Sequence, residues 1–195
     1  MTTPDPITRF QMSYARALST IPAEGNPTAM VVSSVSAEGR PSSRFVLLKD
    51  VDARGFVFYT NLHSRKGREI AANPFVSLCF YWPPLDEQIR VDGRAEPVTD
   101  AEADEYFASR PRESQIGAWA SDQSEPLDSY EDLVRRVVSY AEKFGGAPVP
   151  RPPHWSGLRV VPDRIEFWRS RPDRLHDREL YERHPDGWTL RRLYP

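Results

Sequence analysis

Three short stretches of the chain concentrate side chains able to grip an anion. The first is Tyr59-Thr60-Asn61-Leu62-His63-Ser64-Arg65-Lys66-Gly67-Arg68, where a strand-like run passes into a helical one. Ser64 is a capping residue type, and Arg65 and Lys66 fall in the first helical turn, where the helix dipole disfavours positive charge. An anion bound at that terminus reverses the sign, because free N–H groups and both cations donate to it. A solvated charged turn is the competing reading. The second stretch is Arg174-Leu175-His176-Asp177-Arg178. If extended, its period of two puts Arg174, His176 and Arg178 on one face. Three potential cations side by side call for an anionic partner, or else they guard an exposed edge strand against pairing. The third is Tyr106, Arg110 and Ser114, spaced i, i+4, i+8. A phenol, a guanidinium and a hydroxyl suit a phosphate monoester. Pro111 interrupts any single helix through them, so Ser114 is expected on a turn or at the start of a second helix.

Arg44 and Lys49 bound the run Arg44-Phe45-Val46-Leu47-Leu48-Lys49. Strict alternation places them on opposite faces, so one site using both needs a bulge or two walls of a pocket. His63, His154 and His184 lack metal-ligand spacing and read as surface or turn residues. No Ser-His-Asp order, paired carboxylates or HExxH is present, and no metal is expected. Without a Gly-rich nucleotide fingerprint, any phosphate must be held by side chains. Cys79, inside an apolar strand, is expected to be a buried small hydrophobe.

The charge balance narrows the partners. Lys and Arg number 26 against 28 Asp and Glu, a formal net charge of −2 over 195 residues, which excludes a generic basic nucleic-acid binder but not a local cationic pocket. A lone cysteine cannot close an intramolecular disulfide or ligate zinc with other thiols. No leader is expected in the polar stretch Met1 to Pro6, and the apolar runs are too short to span a bilayer. A reducing cytoplasm is the expected setting. The 19 prolines are spread as punctuation between apolar segments, with one cluster at Pro148 to Pro153, so they mark many short elements rather than disorder.

These elements must carry the three stretches. Asp5-Pro6 reads as a cap and first helical residue, followed by Ile7, Phe10, Tyr14, Ala17, Leu18 and Ile21 at helical spacing. A meander of three strands is expected over Thr28–Val35, Ser42–Lys49 and Phe56–Thr60. A short helix follows over Arg65–Ala72, then strands Phe75–Trp82 and Gln88–Val98. Thr99-Asp100-Ala101-Glu102 has capping-box spacing, and a longer helix runs from about Tyr130 to a cap at Gly145. Strands near Leu158–Val161 and Arg164–Trp168 and a hairpin over His184-Pro185-Asp186-Gly187 close the chain. Strands in hairpins with helices intercalated late give an α+β class: an antiparallel sheet or small barrel with peripheral helices.

Taken in order, the motifs resemble those of the pyridoxine/pyridoxamine 5'-phosphate oxidases, from about Pro27 to Pro195. They include Pro27 to Val32, RFVLLK at Arg44 to Lys49, GFVFYTN at Gly55 to Asn61, Ser64-Arg65-Lys66 and YFASRPRESQIGAW at Tyr106 to Trp119. Gln123-Ser124, Pro153-His154-Trp155, Ile165-Glu166-Phe167-Trp168 and RLHDR at Arg174 to Arg178 follow. The resemblance implies one split-barrel domain over residues 1–195, with an N-terminal helical region (1–24) and C-terminal strands (148–195) that complete the site. It also implies a homodimer binding FMN at the subunit interface. By resemblance Arg44, Val46, Leu47, Lys49, Tyr59, Thr60, Arg65, Lys66, Gln88, Gln123, Ser124, Trp168 and Arg178 contact FMN. Lys49, Tyr106, Arg110 and Ser114 clamp the substrate phosphate, and Arg174 and His176, over the pyridine ring, are the catalytic pair.

The implied reaction oxidises pyridoxamine or pyridoxine 5'-phosphate to pyridoxal 5'-phosphate. Hydride passes from the substrate's C4' carbon to flavin N5, with O2 as acceptor and H2O2 released. Family members usually carry a basic segment before the first helix that helps close over the substrate; so few residues precede Pro6 here that reduced lid contacts are expected. Two other readings remain: a related oxidase acting on another ring, of the phenazine type, and a non-catalytic carrier of FMN or pyridoxal phosphate. The phosphate clamp speaks against the first, and Arg174 with His176 against the second.

Overall fold

A computed structural model describes residues 5–195, so the first four residues of the expected helical region 1–24 lie outside it. Helix α1 (Pro6–Thr20) begins where expected: the Asp5 side chain accepts from the Thr8 amide at 2.9 Å, and Pro6 fills the first turn. Ile7, Phe10 and Ala17 are buried along one stripe. Leu18, expected on that stripe, is exposed, because it lies a further 100° round the helix from Ala17. The Phe10 ring sits 4.7 Å from Phe56 and 4.9 Å from Phe80, which lays the helix on the inner face of the sheet.

The expected three-strand meander is instead two hairpins at opposite sheet edges. Strands β1 (Ala29–Val35) and β2 (Pro41–Leu47) pair, as do β3 (Asp50–Asp52) and β4 (Gly55–Asn61). Completing the sheet are β5 (Phe75–Trp82), β6 (Glu87–Pro97), β7 (Trp155–Arg169), β8 (Asp177–His184) and β9 (Gly187–Arg192). The order is β2-β1-β5-β6-β7-β4-β3, with β8 on β7 and β9 on β8, and every pairing is antiparallel. Strand β2 ends at Leu47. The Leu48 amide then donates to Thr28 O at 2.9 Å and the Lys49 amide to Val57 O at 2.9 Å. Two consecutive residues thus join the two edges, which requires the sheet to curl into a half-barrel. This crossing takes Lys49 out of the alternation of β2 and resolves its expected conflict with Arg44.

The two strands expected after the proline cluster form one, β7. It pairs with β4 through Trp155–Asn61 to Val160–Phe56 and with β8 from Arg164 to Arg169. Pro162, in the gap between the two expected strands, sits opposite Gly93 at a register shift in the β6 ladder, the kind of bulge that tolerates a missing donor. A Cβ on Gly93 would lie 2.2 Å from Val161 O, so only glycine permits this approach. The helices are α2 (Arg65–Ala72), α3 (Asp100–Ser109), α4 (Arg112–Ala120) and α5 (Tyr130–Phe144). The main core joins α1 to the sheet's inner face; Phe107, Ile116, Val149 and Trp155 form a second one beneath α3 to α5.

The outer sheet face is only partly covered. Phe45, Phe75 and Tyr81 are exposed there, with Val31 partly so. Cys79, expected to be buried, is half-buried on this face, because odd-numbered residues of β5 point outward. No described helix is long and apolar enough to cross a membrane, and no group of three His, Cys, Asp or Glu among the described residues is placed to hold a metal.

Candidate functional site

A cavity of about 1030 Å³ opens between β2, β4, the start of α2, the α3–α4 junction and residues 121–124. It gathers most of the residues singled out in the sequence. Arg44, Val46 and Leu47 come from β2 and Lys49 from the crossing; Tyr59 and Thr60 come from β4, Arg65 and Lys66 from α2. Tyr106, Arg110 and Ser114 line the opposite wall, and Gln123 and Ser124 the rim.

The cationic end is set by the turn into α2. Ser64 Oγ accepts from the Gly67 amide at 3.3 Å and caps the helix. A Cβ on Gly67 would lie 2.1 Å from Leu62 O, so the first turn is held against the preceding loop as only glycine allows. Lys66 is buried, and its Nζ donates to Gln123 Oε1 at 2.7 Å and Thr60 Oγ1 at 3.1 Å. Burial, and secondarily the Arg44 charge, lower its pKa to about 8. Glu69, one helical turn after Arg65, was not singled out in the sequence. It is buried and receives Ser34 Oγ at 2.6 Å, Ser42 Oγ at 2.5 Å and Arg65 Nε at 2.8 Å. Burial would raise its pKa, but these hydrogen bonds outweigh it and hold the carboxyl at about 2. Its i,i+4 spacing to Arg65 was the available signal; the serines arrive from β1 and β2 and left none.

The other wall is aromatic. Tyr59 stacks on Tyr106 at 4.0 Å and on Trp155 at 5.2 Å. Lys49 Nζ lies 5.9 Å from the Tyr106 ring, and the Arg110 guanidinium lies 4.7 Å over Trp155. Pro111 does break the helix: Arg110 ends α3, and Ser114 sits in α4 with its amide on Pro111 O. Arg110 Nη1 is buried with no hydrogen-bond partner among the described residues, and burial lowers the guanidinium pKa. A buried unpaired charged donor is costly, and a phosphate oxygen would supply its missing acceptor. Trp155, Arg110's platform, was quoted in the sequence only as part of a motif.

The remaining candidates gather elsewhere. Gln88 and Trp168 face each other across β6 and β7, and Arg178 faces Trp168 across β8. Both Gln88 and Trp168 line a second cavity of about 500 Å³ that shares no residue with the first. The His176 ring lies 4.6 Å from Trp168, and Arg178 Nε donates to Glu166 at 2.7 Å. The condition that the run from Arg174 to Arg178 be extended is not met over its first residues. Arg174 ends a single 3-10 turn, Pro172–Arg174, with φ 61°, following Asp173 at φ 57°, and the strand begins only at Asp177. Left-handed backbone at two non-glycine residues is a local cost that loop context must offset. Within one chain the candidate residues therefore form two groups.

The donor set suits FMN. A phosphate dianion matches the cations at the start of α2, and an incoming phosphate would favour the charged form of Lys66 that burial disfavours. The aromatic and aliphatic walls at Tyr59, Val46 and Leu47 suit a flat ring.

Comparison with known proteins places the chain among relatives. A family model described as pyridoxamine 5'-phosphate oxidase matches residues 17–144. A second, described as the pyridoxine 5'-phosphate oxidase C-terminal dimerisation region, matches residues 155–195. The chain is similar to the pyridoxine/pyridoxamine 5'-phosphate oxidase of Myxococcus xanthus (strain DK1622), 61% identical over 100% of this chain and 94% of that protein. It is 57% identical to the protein of the same name from Caulobacter vibrioides (strain NA1000 / CB15N), over 87% of this chain and 77% of the other. Among solved structures it resembles PhzG from Burkholderia lata 383, in complex with tetrahydrophenazine-1-carboxylic acid, with a TM-score of 0.91, 32% identity, and 99% and 94% of the two chains covered. It shares the fold of an FMN-binding, pyridoxamine 5'-phosphate oxidase-related protein of Nostoc punctiforme PCC 73102, with a TM-score of 0.77, 17% identity and full coverage of both chains.

Proposed function

The chain belongs to the pyridoxine/pyridoxamine 5'-phosphate oxidase family, and from that premise we propose which ligands its two residue groups take. Membership makes it an oxidoreductase. The proposed reaction is FMN-dependent oxidation of pyridoxamine or pyridoxine 5'-phosphate to pyridoxal 5'-phosphate, with O2 consumed and H2O2 released. One observation carries the reading: the large cavity is lined by two pairs of cations from different elements, Arg65 with Lys66 and Lys49 with Arg110, and Arg110 Nη1 still lacks an acceptor among the described residues. One phosphate would leave one pair unmatched; a flavin nucleotide and a phosphorylated substrate match both.

On this reading Arg65, Lys66, Gln123 and Ser124 hold the FMN phosphate, while Arg44, Val46, Leu47, Tyr59 and Thr60 line the rest of its seat. Lys49, Tyr106, Arg110 and Ser114 hold the substrate phosphate. Bound FMN would supply the redox chemistry, a two-electron acceptor for hydride from the substrate's C4' carbon that O2 would regenerate. The chain supplies position and charge. Arg174 and His176 align the substrate ring; Arg174 acts by orientation and electrostatics, since a guanidinium does not readily give up a proton at neutral pH.

The dimerisation-region match over residues 155–195 supports homodimer formation. Gln88, Trp168 and Arg178 lie on the same outer sheet face as the exposed Phe45 and Tyr81. A two-fold partner packed there would present its Gln88, Trp168, Arg174, His176 and Arg178 to this chain's cavity, placing FMN at the interface. The reading treats residues 1–195 as one such domain in the cytoplasm. The similarity to PhzG suggests a tricyclic substrate as a second reading, but such a ring offers no phosphate to Arg110. Oxygen uptake by the FMN-loaded protein tests the choice. Turnover of pyridoxine 5'-phosphate and not of unphosphorylated pyridoxine is expected. A protein that takes up no FMN, or that ignores the phosphate, defeats the proposal.

A further inference from the structure

The cavity residues with obvious charge are cations, yet the group tying them together is a carboxylate. Glu69 Oε2 accepts from Ser34 and Ser42, and those two hydroxyls in turn accept from Arg44, at 2.6 Å from Nη1 and 2.5 Å from Nη2. Arg44 Nη2 also reaches Glu69 Oε2 directly at 3.3 Å. The other oxygen, Oε1, accepts from Arg65 Nε. Arg44 is thereby locked from three sides. Arg65 is different: its side chain is 59% exposed and Glu69 is its one hydrogen-bond partner among the described residues. That bond uses Nε alone and leaves both terminal nitrogens for a ligand.

We propose that Glu69 is a positioning residue for the flavin phosphate, holding the Arg65 guanidinium through its Nε so that both terminal nitrogens are presented together. Glu69 does not touch the phosphate and acts through Arg65. Without it Arg65 is a long, solvated side chain whose ordering must be paid for on binding. The carboxylate also leaves the three cations Arg44, Arg65 and Lys66 with a net charge of +2, the complement of a phosphate dianion.

The inference rests on the reading of this cavity as an FMN site, and two flavins separate the failures. Riboflavin lacks the phosphate, so the ratio of riboflavin to FMN dissociation constants, read by flavin fluorescence quenching, isolates the phosphate contribution. If the wild-type protein binds both alike, the FMN-phosphate reading itself fails. If the wild type prefers FMN, Glu69→Gln decides the rest. An amide cannot accept at both oxygen positions, so either the serines or Arg65 lose their acceptor. The expected result is an FMN affinity lower by about tenfold or more, with riboflavin affinity little changed. In an Arg65→Ala background Glu69→Gln should cost little further, because the arginine it served is gone. Equal loss for both flavins marks a merely structural residue, and tighter FMN binding marks a group acting only by its charge; either overturns the proposal. Should Glu69→Gln not fold, Glu69→Asp keeps the charge but shortens the reach to Arg65. An unchanged FMN preference in that variant overturns the proposal equally.

Discussion

At the scale of single residues, the informative groups are those whose protein partners leave them incomplete. Arg110 stacks on Trp155 and keeps one buried terminal nitrogen unpaired among the described residues. Replacing it by alanine should raise KM for the phosphorylated substrate by about 10- to 100-fold with kcat nearly unchanged, since the contact is made equally in ground and transition states. Steady-state oxygen uptake measures this, and a fall in kcat alone would contradict the clamp. Lys66 gives a pH dependence of definite sign. In the flavin-free protein its pKa is about 8, and a bound phosphate raises it. The Lys66 contribution to FMN affinity should therefore be fully present below pH 8 and be lost as pH rises through and beyond that value, while riboflavin affinity stays flat; fluorescence titrations at several pH values above the phosphate's own pKa of about 6 compare the two. Arg65 and Lys66 were legible in the sequence because a capping serine and two adjacent cations are one local signal. Arg174 was legible by type but not by conformation. Its left-handed backbone is imposed by the loop and not by anything in RLHDR itself.

Individual elements decide how well those residues are held. Helix α2 can start where it does because Gly67 lets its first turn sit against Leu62. Gly67→Ala forces a backbone atom to move, since the obstacle at 2.1 Å is a carbonyl oxygen rather than a flexible side chain. It should destabilise the protein by about 2 kcal/mol or more and weaken FMN binding, shown by a lower urea midpoint and a higher flavin dissociation constant. Helices with clear caps at Asp5, Ser64 and Thr99 were readable from the chain. The sheet was less so. Local pattern suggested a meander, whereas the crossing at Leu48 and Lys49 sends adjacent hairpins to opposite edges. Strand β7 likewise hid its continuity, because Pro162 reads as an interruption until Gly93 of β6 is seen opposite it.

For the whole molecule, the decisive feature is that one chain keeps its cavity and its Trp168–His176 group apart. No sequence pattern could show this, since both sets belong to one linear list and only the fold assigns them to different places. If two copies share each site, activity belongs to the pair. Proteins carrying Arg110→Glu alone or Arg174→Ala alone should each be nearly inactive at low substrate. Mixed, unfolded together and refolded, they should regain activity. A hybrid dimer holds one doubly damaged site and one intact site built from the undamaged part of each copy. With random pairing about a quarter of all sites are whole. Two dead preparations would thus rescue one another, and mixtures that stay dead would show that each chain works alone.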